Sequence, residues 1–301
     1  MRSDDRQGLL YVALAVFFFS TSPVFIVLAD PMHPFVKSWG RMLVAAVAVG
    51  GLAWLTRDRA RDESMVAGVV ARSRGNSTVR FLGYGLVTAL HFLFYISSLG
   101  FTTAAHALSL IYTAPIFVAL LSALFLKERL RNRQWAGIGV TVLGVAILAG
   151  LEPQMDPRMA FGDLLALLSA IMFGFYSIAG RYERERYPLL VYASRVYWAA
   201  TLWLVPFALF SIPQMPAEAW DWTKVAAIVA VGVLSGALGH TLYNASLRRV
   251  HAAYVNIIAS QEVTGGIILS WIFLSQVPSA NSLAGALVTL VGIGLVLKRE
   301  T

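Results

Sequence analysis

Long apolar runs govern what this chain can become. Windows of about twenty apolar residues fall near 8–29, 35–55, 79–99, 104–126, 134–150, 161–181, 188–211, 223–247, 252–275 and 281–298. Each is long enough for a helix to cross the hydrocarbon of a bilayer, where the backbone must satisfy its own hydrogen bonds. The chain is 58% hydrophobic and only 13% charged. Soluble domains carry about a quarter charged residues. The expected fold is therefore all-α: a polytopic membrane protein of ten transmembrane helices, with the lipid bilayer as its first partner.

The second half restates the first. Residues 104–149 align on 252–297 without a gap, matching Ala104/Ala252, Leu121/Leu269, Phe125/Phe273, Gly137/Gly285, Thr141/Thr289 and Gly144/Gly292. The match extends back through Ala89/Ala237, Tyr95/Tyr243 and Ser98/Ser246, and at a slightly different offset through Gly8/Gly162, Phe19/Phe173, Pro34/Pro188 and Arg41/Arg195. Shared membrane composition does not readily produce the matched arginines and prolines. Two homologous repeats, 1–150 and 151–301, are expected, and duplicated apolar halves point to a transporter. Each repeat holds five spans, an odd number. The second must enter the membrane from the opposite side, giving an inverted repeat with its site near the midplane between the halves.

Lysine and arginine set the orientation. They fall at Arg2 and Arg6, in 57–80, from Lys127 to Arg133, from Arg181 to Arg186, at Arg248 and Arg249, and at Lys298 and Arg299. The intervening loops 100–103 and 276–281 carry none, and 212–222 holds Glu218 and Asp221. This alternation places both termini in the cytoplasm. It also accounts for the net charge of +8 without a nucleic-acid partner. Cysteine is absent, which excludes disulfides and thiolate chemistry. The first run is too long for a signal-peptide core and lacks a clear cleavage site, so it counts as a span. In the longest connection, the short run Met65–Ala71 is too brief to cross and suits the membrane surface.

Glycines recur at Gly137, Gly139 and Gly144 and at Gly285, Gly292 and Gly294. Small residues let helix backbones approach in lipid, so these two spans are read as scaffold. Pro23, Pro115 and Pro206 interrupt spans, each marking a kink or a hinge.

Polar groups inside spans need partners or a wet cavity. Thr88, His91, Tyr95 and Ser98 share one helical face; His106, Ser109, Tyr112 and Thr113 follow in the next span. His240, Tyr243 and Asn244, then Asn256, Ser260, Gln261, Glu262 and Thr264, supply the second half, and Phe17, Phe18, Phe19, Phe173, Phe175 and Tyr176 supply rings. The expected substrate-binding set is Phe17, His91, Tyr95, Tyr112, Tyr176, Tyr243, Asn244, Asn256 and Gln261. The alternative for each tyrosine is an interfacial anchor or packing residue, and for each histidine a hydrogen-bonded core residue. Glu262 is the most unusual residue, since a mid-span carboxylate costs roughly 2.5–3.5 kcal/mol on insertion scales. Glu262 and His240 are candidates for proton coupling. Arg41 and Arg195 are read as structural arginines, snorkelling or clamping backbone carbonyls, with substrate carboxylate binding as the alternative. Glu128 is expected to pair with local arginines.

No His-Glu-x-x-His, phosphate loop or Gly-x-Ser-x-Gly is present, so neither an enzyme, a metal site nor a cofactor is expected. The doubled unit, Pro-x6-Arg opening each second span (Pro34/Arg41, Pro188/Arg195), Pro115 and the Leu-Lys-Glu-Arg-Leu at 126–130 together resemble the EamA-like branch of the drug/metabolite transporter superfamily. Within it the sequence is most similar to the YddG-type exporters of aromatic amino acids. The second half departs from the pattern, with Gln276 matching Glu128 and Val263 matching Pro115. The resemblance implies a monomeric transporter of the bacterial inner membrane. It would export aromatic and other neutral amino acids by alternating access through a central cavity. Efflux of flat aromatic cations, favoured if Glu262 faces that cavity, is the alternative.

Overall fold

A computed structural model describes residues 3–56, 77–102, 107, 110–128, 130–149, 157–275, 277 and 280–297. The run at 65–71, His106, Ser109 and Gln276 lie outside them. All regular elements among the described residues are helical. Among the described residues, seven stretches are long and apolar enough to span a bilayer: Asp5–Leu28, Pro34–Leu55, Ser77–Ser98, Pro157–Tyr182, Leu189–Gln214, Trp222–Leu247 and Ala252–Phe273. Ala114–Leu126 and Leu283–Val296 are shorter apolar helices.

Several expected spans are discontinuous. The first divides into α1 (Ser3–Ser20) and α2 (Ser22–Leu28). After α3 (Pro34–Leu55) and α4 (Ser77–Ser98), the fourth contains α5 (Ala114–Leu121), which runs on as a π-helical turn, Ser122–Leu126. Next come α6 (Asn132–Ala149), α7 (Pro157–Tyr182) and α8 (Leu189–Ser211), which carries Pro206 without ending there. The eighth span joins α9 (Trp222–Val231) to α10 (His240–Leu247) through π-helix Gly232–Gly239. The ninth divides into α11 (Ala252–Ala259) and α12 (Glu262–Leu274), and α13 (Ala280–Leu297) follows.

One device recurs at the three breaks. Thr21 Oγ1 donates to Phe18 O (2.7 Å), Thr113 Oγ1 to Leu110 O (2.6 Å) and Ser260 Oγ to Ile257 O (2.6 Å). A hydroxyl bonded back to the carbonyl three residues earlier competes with the helical ladder. The backbone tightens there too: Thr21 N reaches Phe18 O, Thr113 N reaches Leu110 O and Gln261 N reaches Ile258 O. Proline completes the first two breaks; the third, with Val263 in the proline position, breaks without one. The breaks at Thr113 and Gln261 are repeat mates. So are Lys127 (φ 58°) and Ser275 (φ 57°), left-handed residues that end α5's π-turn and α12.

Repeat mates also pack against each other. α3 lies along α8, with Phe35 against Phe207 (ring centroids 5.6 Å apart) and Gly50 against Ser194 and Trp198. α6 lies along α13, with Gly137 against Gly292 and Val296 and Gly144 against Thr289 and Gly285. Both pairs therefore run antiparallel. A Cβ added to Gly144 would sit 2.5 Å from Thr289 N, and one added to Gly292 would sit 2.5 Å from Thr141 N, so backbones touch directly. Thr141 and Thr289 turn their hydroxyls back to Gly137 O and Gly285 O. Gly139 and Gly294 face open space and take no part in this contact.

Candidate functional site

The breaks surround a central cavity of about 40 Å³. The junction of α1 and α2 gives it Phe19 and Ser22; α3 gives Arg41; α4 gives His91, Phe92 and Tyr95. The break before α5 adds Ile111, Tyr112 and Ala114. From the second repeat come Phe173 of α7, Ser235, His240, Asn256, Ala259 and Glu262. Irregular backbone at membrane depth is tolerated where protein buries it or where it lines a cavity, and that is where these breaks lie. Ligand pockets begin at roughly 300 Å³, so the lining helices have to part before a substrate enters.

A basic and an acidic side chain face this space. Arg41 is 2% exposed; its Nη2 donates to Ser235 Oγ at 3.0 Å and its guanidinium lies 4.3 Å from the centre of the Phe92 ring. Its Nε and Nη1 have no hydrogen-bond partner among the described residues. The side chain neither reaches the interface nor clamps a backbone carbonyl. Its repeat mate Arg195 instead stands over Phe81 and Tyr187, at 5.3 and 5.4 Å. Glu262, the first residue of α12, lines the cavity together with Tyr112. Arg41 and Glu262 feel each other's charge across the cavity without forming a direct ion pair.

The histidines are built into the wall. His91 Nδ1 is 2.9 Å from Ser169 Oγ, and its ring stacks on Phe173 at 4.9 Å. His240 packs on Phe19 at 4.6 Å, and its Nδ1 has no partner among the described residues.

The structure thus gathers His91, Tyr95, Tyr112, Asn256, His240 and Glu262 at one cavity, with Arg41 added. Phe17 is 60% exposed on the outside of the bundle, and Phe19, two residues on, takes the inward position. Tyr176, Tyr243 and Asn244 form a buried layer behind the wall. Asn244 Nδ2 donates to Tyr176 Oη (2.6 Å), and Tyr243 Oη meets Ser177 Oγ (2.7 Å) and Asn256 Nδ2 (3.2 Å). Gln261 lies in the break beside the cavity, its Nε2 without a partner among the described residues. Ser22, Phe92 and Ser235 escaped the sequence reading. Phe92 adjoins His91 in sequence, but Ser22 and Ser235 are small residues in apolar runs and gave no signal.

Nearer the arginine-rich end of the bundle, Arg181 ties the repeats together. Its Nε and Nη2 both lie 2.9 Å from Glu128 Oε1, and Nη1 donates to Leu247 O. His251 Nε2 stands 3.6 Å from Glu128 Oε2, while Nδ1 accepts from Ala253 N and caps α11. Burial lowers the His251 pKa, opposed by Glu128 and reinforced by Arg181. Beside this cluster the wholly buried Glu183 carboxylate takes Tyr84 Oη at 2.8 Å and Arg80 Nη1 at 3.1 Å.

Known proteins share this sequence and fold. The chain is 28% identical to a probable terminal-alkyne amino-acid exporter of Streptantibioticus cattleyicolor, over 87% of this chain and 83% of that one. It is 25% identical to a probable amino-acid metabolite efflux pump of Salmonella typhimurium, over 74% and 78%. It is 28% identical to the pseudopaline exporter CntI of Pseudomonas aeruginosa, over 69% and 70%. One crystal structure superposes with a TM-score of 0.73 over 96% of both chains at 21% identity, a likeness of fold alone. The sequence pattern of the EamA-like transporter family matches residues 6–150 and again 160–298, and the chain, a multi-pass membrane transporter and not an enzyme, belongs to that family.

Proposed function

We propose that the protein exports aromatic and other neutral amino acids, and related metabolites, across a bacterial inner membrane by alternating access. The observation that carries this reading is the cavity itself, walled by both repeats and bordered by all three helix breaks. Ten spans in two inverted repeats, 1–150 and 151–301, with both termini cytoplasmic, agree with the antiparallel packing of repeat mates α3/α8 and α6/α13. Rocking of one half against the other moves the cavity between faces. The rings of Phe19, Phe92, Tyr95 and Phe173 supply the stacking surface that an aromatic side chain takes. The relatives named as exporters of amino acids and their metabolites support both substrate and direction.

Efflux of flat aromatic cations is the second reading, because Glu262 does face the cavity. Arg41 in the same space weighs against it, since a monocation there meets a buried positive charge. The test is flux of labelled phenylalanine in liposomes holding purified protein, with and without a proton gradient. Saturable flux suppressed by other neutral amino acids is expected, and the gradient response assigns proton coupling. Flux of planar cations with none of amino acids would reverse the order of the two readings.

A further inference from the structure

We infer that the cavity is a zwitterion clamp: Arg41 takes the carboxylate of an α-amino acid and Glu262 its ammonium. The inference rests on the cavity being the transport site. Arginine carries five N–H donors and no acceptor. At Arg41 one nitrogen donates to Ser235, while Nε and Nη1 are buried with no acceptor among the described residues. Leaving such donors unmet is costly, and each of them has an N–H to give to a carboxylate oxygen, the anion that a guanidinium binds best. Glu262 has the opposite demand. Its side chain lines the cavity with no ion-pair partner among the described residues, and a carboxylate, with acceptors on both oxygens, is the partner an ammonium takes.

The charges are not spent on each other, for no ion pair joins them. A cation alone would leave Arg41 unpaired, and an anion alone would leave Glu262 unpaired. A zwitterion supplies both partners and adds no net charge to a low-dielectric space. The repeat mate is an internal control: Arg195 sits at the equivalent helix position with aromatic rings against it and is not among the residues lining this cavity. The recognition groups are thus one charge from each repeat, which fixes a single orientation of the bound backbone.

The test compares phenylalanine with phenylalaninamide, which keeps only the ammonium, and 3-phenylpropionate, which keeps only the carboxylate. Binding to the purified full-length protein in detergent is read by calorimetry. Phenylalanine is expected to bind roughly tenfold to a hundredfold more tightly than either analogue, as loss of one charged hydrogen-bond pair implies. Arg41→Gln should erase the preference over the amide and keep the preference over phenylpropionate. Glu262→Gln should do the reverse. That crossed pattern does not follow from a structural role for either residue. Equal binding of all three ligands by the wild type overturns the clamp, and so do unchanged preferences in both variants. If neither variant folds, the wild-type series decides alone. Phenylalanine flux with the wrong ranking removes the clamp and leaves the exporter reading standing; absence of binding and flux for every neutral amino acid removes both.

Discussion

Gly292→Ala and Gly294→Ala make a pair that the structure ranks clearly. A Cβ at Gly292 lies 2.3 Å from Thr141 Oγ1, 2.5 Å from Thr141 N and 2.8 Å from Gly137 O. Two of those neighbours are backbone, so no rotamer change relieves them. The two helices must part by roughly 1 Å, a gap that forfeits a quarter to a half of each contact's dispersion energy. Overpacking of this kind costs about 1–3 kcal/mol. At Gly294 a Cβ meets nothing within 4 Å, and Ala146 already occupies the equivalent position of the first repeat. There the substitution should be neutral, or favourable by up to about 1 kcal/mol from helix propensity. The assay is the apparent melting temperature of purified protein in one detergent, followed by flux per folded molecule. Melting of Gly292→Ala should fall by several degrees, at about 2–4 °C per kcal/mol for a chain of this size class. Gly294→Ala should match the wild type. Because α6 and α13 are scaffold, flux per folded Gly292→Ala molecule should be normal. Equal melting of the two variants would refute backbone contact at Gly292, and a raised KM with intact melting would refute the scaffold role.

Other residues separate in the same way. Tyr95→Ala removes a buried cavity ring and should raise the KM for phenylalanine per folded molecule, as transport titrations check, with some loss of melting from the cavity left behind. Asn244→Ala removes the bond to Tyr176 in the layer behind the wall and should lower stability by about 1–2 kcal/mol; intact melting would contradict that burial. Arg181→Gln strands Glu128, and with both side chains slightly exposed (13% and 19%) the loss should be about 2 kcal/mol, below the 3–5 of a fully buried pair, read by thermal unfolding. His251 is held neutral by burial, so its contribution is complete above its unfolded value near pH 6.5 and is lost as pH falls toward its lower folded value. Wild-type melting should therefore drop more between pH 7 and pH 5 than that of His251→Asn, which caps a helix without titrating.

The scaffold was legible because it obeys periodic rules. Apolar run length gave the helices, the matched glycines gave the α6–α13 seam, and the matched arginines marked two equivalent helix positions. The breaks were legible only in part. Pro23 and Pro115 announced two of them. The third needs no proline, since Ser260 turns its hydroxyl onto the helix carbonyls, and a serine in an apolar run is too common to be a signal. The cavity was harder still. Phe17, Phe18 and Phe19 are consecutive, and the 100° step between them, together with the helix rotation set by neighbours, decides which one faces inward. Arg41 and Arg195 read alike because each follows a helix-opening proline by seven residues. What separates them is packing from distant segments: Phe81 and Tyr187 fill the space at Arg195, while Ser235 and Phe92 only partly fill it at Arg41.

That divergence is what a duplicated chain needs in order to hold one substrate. A fully two-fold-symmetric cavity would offer the same groups from both sides and bind an amino acid equally well in two opposed orientations. Here the seam α6–α13, the paired breaks and the paired left-handed ends keep the symmetry, while the cavity lining abandons it. Tyr95 lines the cavity, and its mate Tyr243 is buried behind the wall, bonded to Ser177 and to the cavity-lining Asn256. His91 faces Gly239 as its mate, and Arg41 in the cavity is answered by Arg195 among rings. On the proposed alternating-access reading, symmetry in the scaffold would preserve two related packings between which the halves rock. Under the proposed clamp, asymmetry in the lining would hold the substrate in one orientation through both.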